Sequence, residues 1–212
     1  MQHKTVGSET ETKIAIGLHA QTLNREDGVI AGSEITTFYL KKAFENRPEV
    51  SFVHRVGPDN CRDLIDDDLN LFIIEGWCYG IHQTIQFVRA NNPHVKIIFW
   101  VLSLWGLEET RHLDVDGYMT NSRKLVSMLS KIKPTKFVML AADPEDFKPQ
   151  TISSHYSWHV TYLGMYNHSK SKAIMSRILG EAADFGLAIY GHHWNNHPDY
   201  HQFWEGILPR RD

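Results

Sequence analysis

The sequence predicts an α/β protein: a Rossmann-like parallel sheet flanked by helices, followed by a partial second Rossmann-like βαβ unit. Apolar runs alternate with amphipathic stretches from residue 13 to about residue 194. The run LNLFIIEG (69–76) is almost wholly apolar, as expected for a strand covered on both faces. No Asn-Gly hairpin turn separates the runs, so their spacing indicates right-handed βαβ crossovers rather than an antiparallel meander.

The first series of elements runs to residue 142. Apolar runs predict strands at 13–20, 50–57, 69–76, 95–103, 116–122 and 135–142. Amphipathic stretches predict helices at 33–46, 80–92 and 122–132. In the first helix Ser33 is a plausible N-cap, and four apolar residues fall on one side: Ile35, Phe38, Tyr39 and Phe44.

A second series follows a break in this rhythm. Segment 143–157 contains two prolines and no periodicity, so we predict a linker between a first domain (13–142) and a second domain (158–212). In the second domain the pattern is strand 158–166, helix 169–186 and strand 187–194, then a tail. A nucleotide-binding Rossmann domain normally needs five or six strands, so we expect the chain to stop partway through this domain.

Composition excludes several classes of partner. The net charge is −3 and lysines and arginines do not cluster, which disfavours binding to nucleic acid. No apolar run approaches the roughly 18 residues of a membrane helix, and the polar residues 1–12 are expected to be a disordered lead-in. Two cysteines are too few for a disulfide framework, so a cytoplasmic location is expected.

Loops after the strands are the expected ligand-binding positions, because ligands of open parallel sheets bind at the strands' carboxyl ends. The first such loop places Gly28 and Gly32 directly before a helix, where backbone N–H groups can approach a phosphate or a sugar. A surface loop without a ligand would look the same, since the run GVIAGSE is neither a dinucleotide fingerprint nor a P-loop.

Two other loops carry a carboxylate beside an indole. The third strand ends in EGWCYG, with Glu75 and Trp77, and the fourth ends in SLWGLEE, with Trp105 and Glu108. Carboxylates at these ends suit catalysis or sugar binding, and indole faces stack on sugar rings. Alternatively, Glu75 caps a helix or pairs with a basic residue, and Trp105 packs under a loop.

Metal sites are disfavoured. Asp66 and Asp68 form a D-x-D pair, which holds a divalent metal in some glycosyltransferases, but they precede a strand and are expected to form a solvated turn. The tail spaces His193, His197 and His201 four residues apart, yet Pro198 interrupts any helix there, and neither a cysteine nor a suitably placed carboxylate completes a ligand set.

The stretch TNSRKL–VMLAADPEDFKP, followed by HVTYLGMYNHSKS and ADFGLAIYGHHW, resembles the spore-maturation-protein (CgeB-like) branch of GT-B glycosyltransferases. The resemblance covers residues 13 to about 206. It implies a GT-B N-domain that holds a glycan or other acceptor, and a C-domain that holds a nucleotide-sugar donor. It also implies sugar transfer of the retaining type without a metal or a resident cofactor, and as a partner the remainder of the C-domain.

The candidate site residues follow from the loops and from this resemblance. Catalytic candidates are Glu75 and Glu108. Donor phosphates are expected at Gly28, Gly32, Ser33, Gly164, Lys170 and Lys172, with Arg177 as a further cation. Acceptor contacts are expected at Trp77, Trp105 and His19. The chain departs from the family in having Ser103, Leu104 and Trp105 where relatives often have an acidic residue. The family's ribose-binding region is expected to lie beyond Asp212.

Two alternatives remain open at the level of sequence. One is a non-catalytic carbohydrate- or nucleotide-binding module on the same scaffold. The other is a metal-dependent GT-A transferase that uses Asp66 and Asp68 and would require manganese. Solvent-exposed lysines at the start of a helix would equally explain Lys170 and Lys172.

Overall fold

A computed structural model describes the chain at residues 13–21, 23, 32–64, 68–102, 107–145, 148, 158–164 and 172–207, with the backbone alone at residues 64 and 172–176. The chain divides into two compact units, and the division falls between residues 147 and 148. Each unit contains its own parallel sheet. The α/β class predicted from the sequence, with a Rossmann-like parallel sheet and a second smaller one, is confirmed.

The first unit has six strands and three helices in the predicted order, and a short fourth helix between the fourth and fifth strands that was not predicted. Its elements are β1 (Ile14–His19), α1 (Gly32–Glu45), β2 (Val50–Val56), β3 (Leu71–Glu75), α2 (Ile81–Asn91), β4 (Lys96–Val101), α3 (Leu107–Thr110), β5 (Gly117–Thr120), α4 (Arg123–Leu129) and β6 (Thr135–Phe137). The six strands pair in parallel, in the order β2-β1-β3-β4-β5-β6. The sequence predicts β6 to run to residue 142, but it ends at Phe137; Met139 and Leu140, beyond it, are exposed.

Side-chain alternation along the strands divides the core of this unit into two layers. On one face Phe72 and Ile74 of β3 pack with Ile85 of α2. On the other face Ile16 and Leu18 of β1 pack with Ile73 of β3, and Leu40 and Phe44 of α1 cover them. Glu75 follows Ile73 by two residues, so it projects toward the α1 face of the sheet.

The first half of helix α1 buries polar residues where apolar ones were predicted, whereas Phe44, in its last turn, packs against the core as predicted. Ile35 and Phe38 are about half exposed, whereas Ser33, Glu34 and Thr37 are buried. An arginine on β2 contacts this part of the helix: the Arg55 guanidinium donates to the Glu34 carbonyl (2.8 Å) and to the Thr37 hydroxyl (3.3 Å), and also lies over the Phe38 ring. The N-cap prediction for Ser33 is also wrong, since the helix begins at Gly32 and Ser33 lies inside its first turn.

The second unit is a three-stranded parallel sheet in the order β7-β8-β9. Its elements are β7 (Val160–Leu163), α5 (Lys172–Ala183), β8 (Leu187–Tyr190) and β9 (Trp204–Gly206). The sequence predicts β7, α5 and β8 with longer bounds, and interprets the residues after them as a tail. That tail instead contains β9, which adds a parallel strand beside β8. A core of Leu179, Leu187, Ile189, Trp194 and Tyr200 is buried in this unit.

Candidate functional site

The first sheet has a topological switch point beside β1. The chain leaves β1 for β2 on one side and later returns to β3 on the other side of β1. The connections after β1 and β3 therefore diverge, which opens a crevice at the carboxyl ends of these two strands. Gln21 follows β1 at this edge, and Gly76 and Trp77 follow β3.

A cavity of about 180 Å³ lies at this crevice. Its walls come from the carboxyl ends of β1, β3 and β4, from the first turn of α1 and from α3. The lining residues are Gln21, Gly32, Ser33, Glu75, Gly76, Trp77, Phe99, Trp100, Val101, Leu102 and Thr110. The structure thus brings four of the predicted site residues together: Gly32, Ser33, Glu75 and Trp77.

Glycine and glutamine shape the turn that follows β3. Gly76 has a φ of 76°, and a Cβ atom there would lie 2.6 Å from the Gln21 amide nitrogen. Gln21 donates from this nitrogen to the Trp77 carbonyl (2.5 Å) and from its backbone N–H to the Ser33 hydroxyl (3.1 Å). Gln21 thereby ties the loop after β3 to the start of α1, and sequence reasoning did not single it out.

Among the described residues that line this cavity, Glu75 is the only one with a titratable side chain. It is 4% exposed, and burial raises the pKa of its carboxyl to about 7, although a hydrogen bond from the Ser33 hydroxyl acts in the opposite direction. Its Oε2 atom has no hydrogen-bond partner among the described residues. A carboxyl group with a pKa near neutrality can accept or donate a proton at physiological pH, which is what general acid–base catalysis requires.

Two tryptophans border the cavity. Trp77, predicted from its place beside Glu75, lies edge-on to the His82 ring with centroids 5.9 Å apart. Trp100 was not predicted; it is 4% exposed, and its indole N–H has no acceptor among the described residues. Its sequence signal is its position near the end of β4, where the parallel register pairs it directly with Glu75.

His19 lies away from the cavity, on the opposite face of the sheet from Glu75. Its ring is fully buried against Phe72, with centroids 6.2 Å apart, and neither ring nitrogen has a hydrogen-bond partner among the described residues. Burial lowers the pKa of the imidazole to about 4. The predicted acceptor contact at His19 is therefore not supported: the strand alternation of β1 turns this ring into the core.

Replacing His19 with leucine is expected to make the fold less sensitive to acid. The unfolded imidazole takes up a proton below about pH 6.5, whereas the folded one resists protonation until about pH 4. As the pH falls through this window, the free energy of unfolding of the wild type therefore decreases, and at pH 5 it is about 2 kcal/mol lower than at pH 7.5. Urea unfolding of both proteins at these two values measures the effect, and an equal acid loss in His19→Leu would contradict it.

The second predicted catalytic carboxylate lies outside the cavity. Glu108 is in the short helix α3, its side chain is 74% exposed, and it pairs with Arg111 at 3.1 Å. An exposed ion pair of this kind has little effect on stability. Glu108 is not among the described residues that line the cavity. The prediction treated the two carboxylates alike, but only Glu75 is held in the cavity wall.

Several predicted positions cannot be placed. Gly28, Asp66, Trp105 and Lys170 lie outside the described residues, and Lys172 is described only as the first backbone position of α5. Asp68 is exposed and precedes β3, at the opposite edge of the sheet from the cavity.

In the second unit Gly164 and Gly191 follow neighbouring strands and lie against each other. The Gly164 carbonyl accepts a hydrogen bond from the Trp194 indole (2.7 Å), and the Gly191 carbonyl accepts one from the Trp204 indole (2.8 Å). Gly164, predicted to contact donor phosphates, thus has an observed structural role at the end of β7.

The histidine-rich tail is partly structural. His197 is buried, stacks on Trp194 and accepts hydrogen bonds at Nδ1 from the backbone N–H groups of Asp199 (3.1 Å) and Tyr200 (3.3 Å). Within the described ranges, no three His, Cys, Asp or Glu side chains lie close enough together to hold a metal ion. Among the helices that the structure describes, none is long and apolar enough to cross a membrane.

Comparison of the sequence with protein-family models gives no match, and comparison with curated proteins gives no significant match.

Proposed function

We propose that this protein is a glycosyltransferase that uses a nucleotide-sugar donor, and that the cavity of the first unit receives the acceptor. The observation that carries this proposal is Glu75, a buried carboxyl group with a raised pKa in a cavity at the switch point of a parallel sheet, whose Oε2 atom has no hydrogen-bond partner in the part of the chain that the structure describes. Ligand sites of such sheets lie at this position. The resemblance of the chain to CgeB-like glycosyltransferases supplies the class of reaction.

Glu75 acts as the proton acceptor in this reaction. The acceptor hydroxyl oxygen forms a bond to the anomeric carbon of the donor sugar, on the side opposite the diphosphate, as the bond from that carbon to the diphosphate oxygen breaks. This direct displacement inverts the anomeric configuration and so departs from the retaining type that the resemblance implies. The nucleoside diphosphate leaves with the bonding electron pair, and the hydroxyl proton passes to the Glu75 carboxylate. Ser33 donates to the carboxyl and orients it, while burial keeps its pKa close to the working pH.

The donor diphosphate is not assigned to this cavity. No lysine or arginine is among the residues that line it, so its described wall offers no cation to the charge of a departing diphosphate. We assign the diphosphate to the second unit, at the predicted positions Gly164, Lys170 and Lys172. This assignment revises the expectation that Gly32 and Ser33 contact donor phosphates.

Release of nucleoside diphosphate tests the proposal. The full chain is incubated with UDP-, GDP- and TDP-sugars and a panel of free hexoses, with and without manganese. We expect release with at least one donor, at a rate that rises with pH through about 7 because the carboxylate form of Glu75 is the active one. A manganese requirement would favour the alternative based on Asp66 and Asp68, and no release with any donor would contradict the proposal.

A further inference from the structure

The wall of the cavity holds two buried polar groups that have no partner among the described residues, and they belong to adjacent strands. One is Oε2 of Glu75, and the other is the indole N–H of Trp100. Each side chain is 4% exposed, and both line the cavity. A buried polar group without a hydrogen bond costs about 1–3 kcal/mol, so such a pair at one cavity indicates a ligand that supplies the missing partners.

The register of the sheet brings these two groups to the same place. Glu75 of β3 pairs directly with Trp100 of β4 in the parallel ladder. Directly paired residues project to the same face, and adjacent strands lie about 4.8 Å apart. Both side chains therefore leave the sheet on the α1 side, where the first turn of that helix closes the cavity with Gly32 and Ser33.

The chemistry of the pair selects the class of ligand. Ionised Glu75 only accepts hydrogen bonds, and the Trp100 indole only donates one. A hydroxyl group does both, so one hydroxyl, or two on neighbouring ring carbons, can donate to Glu75 and accept from Trp100. A phosphate or carboxylate oxygen would accept from Trp100 but would meet the Glu75 carboxylate with like charge, and none of the described residues that line the cavity is a lysine or an arginine.

Size limits the ligand to part of a larger substrate. The cavity volume of about 180 Å³ is below the roughly 300 Å³ at which pockets for drug-sized ligands begin. It suits one ring with its hydroxyl groups and not a whole nucleotide sugar. Trp77 is also among the described residues that line the cavity.

We infer that Trp100 is a specificity-determining residue, whose indole N–H, together with Glu75, binds an uncharged hydroxylated ring such as a monosaccharide. This inference rests on the proposed function, because it identifies the acceptor class of the same site. The inference can be tested separately from the proposed function, because binding of the ring requires neither a nucleotide-sugar donor nor turnover.

Two-dimensional ¹H–¹⁵N NMR of the tryptophan indoles tests this inference on the full chain. The probes are free glucose, galactose and mannose, and pyrophosphate as the anionic comparison. The Trp100 signal is identified by its loss in Trp100→Phe. We expect it to shift with at least one sugar and not with pyrophosphate, and we expect Trp100→Phe to bind that sugar about two- to tenfold more weakly.

Trp158→Phe is the matched control, because Trp158 belongs to the second unit and is 40% exposed. It should bind the sugar as tightly as the wild type does. The inference is overturned if no sugar moves the Trp100 signal, if pyrophosphate moves it instead, or if Trp100→Phe binds as tightly as the wild type. Sugar binding without release of nucleoside diphosphate from any donor would leave this inference standing and remove the proposed function.

Discussion

The Glu75→Gln variant is expected to lose sugar transfer while becoming more stable than the wild type at neutral pH. Removal of a general base lowers the rate of such reactions by about 10²- to 10⁴-fold, and glutamine cannot accept the proton. The same substitution removes a buried group that must ionise. A pKa of about 7 in the folded protein, compared with 4.5 in the unfolded chain, corresponds to as much as about 3 kcal/mol.

The sign of the stability change follows from proton binding. Between about pH 4.5 and pH 7 the folded wild type holds a proton on Glu75 that the unfolded chain has released, so wild-type stability falls as the pH rises through this window. Above about pH 7 both states are ionised and the penalty is constant. The advantage of Glu75→Gln should therefore be absent near pH 4, grow to pH 7 and then remain level.

Urea unfolding of the wild type and Glu75→Gln at about pH 4, 6 and 8 measures this difference, alongside the transfer rate. The matched control is Glu49→Gln, because Glu49 is exposed and precedes β2, at the opposite edge of the sheet from the cavity. It should change stability by no more than about 0.5 kcal/mol and leave transfer intact. A Glu75→Gln advantage independent of pH would show that the carboxyl is not buried as described.

The Gly191→Ala variant is expected to destabilise the second unit strongly. Gly191 has a φ of 141°, and a Cβ atom there would lie 2.0 Å from the Gly164 carbonyl oxygen and 2.7 Å from its carbon. Both atoms are backbone at the end of β7, so neither can rotate away. Combined backbone strain and overpacking should cost about 4 kcal/mol, which is a large share of the stability of so small a unit.

The indole N–H signals of Trp194 and Trp204 report on this unit, since they donate to the carbonyls of Gly164 and Gly191. In Gly191→Ala both signals should move to the positions of the unfolded chain at a much lower urea concentration than in the wild type. Gly180→Ala is the control: Gly180 is exposed in α5, and a Cβ atom there would meet only the Tyr200 hydroxyl, at 3.6 Å. Alanine in that helix should raise stability by about 0.5–1 kcal/mol. Equal urea midpoints for Gly191→Ala and the wild type would refute the close approach.

Periodicity was enough to predict the main strands and their parallel pairing, because strands buried on both faces read as apolar runs. Periodicity did not predict features that depend on contacts between residues distant in the sequence. In the first half of α1 the polar side faces inward, where Arg55, on another element, hydrogen-bonds to Glu34 and Thr37. The pattern of the helix by itself does not contain this contact. Strand β9 was missed because three residues, Trp204–Gly206, are too few to show a period.

For the site as well, the sequence located some of the residues but not all of them. The position of Glu75 at the end of an apolar run made it a candidate, and the structure places it in a cavity wall with Gly32, Ser33 and Trp77. Glu108 and His19 met the same sequence criterion and lie elsewhere. The first is on an exposed helix and the second is on the buried opposite face.

The sequence by itself determined the class of fold and the edge of the sheet at which the cavity lies, because both depend on local patterns of apolar and polar residues. Only the tertiary structure decided which polar groups meet there. The pairing of Glu75 with Trp100 joins residues 25 positions apart through the register of β3 and β4. Burial, which raises the pKa of Glu75, comes from several elements at once. The pairing and the burial each depend on residues from several segments of the chain. For that physical reason neither could be predicted from the sequence of one segment.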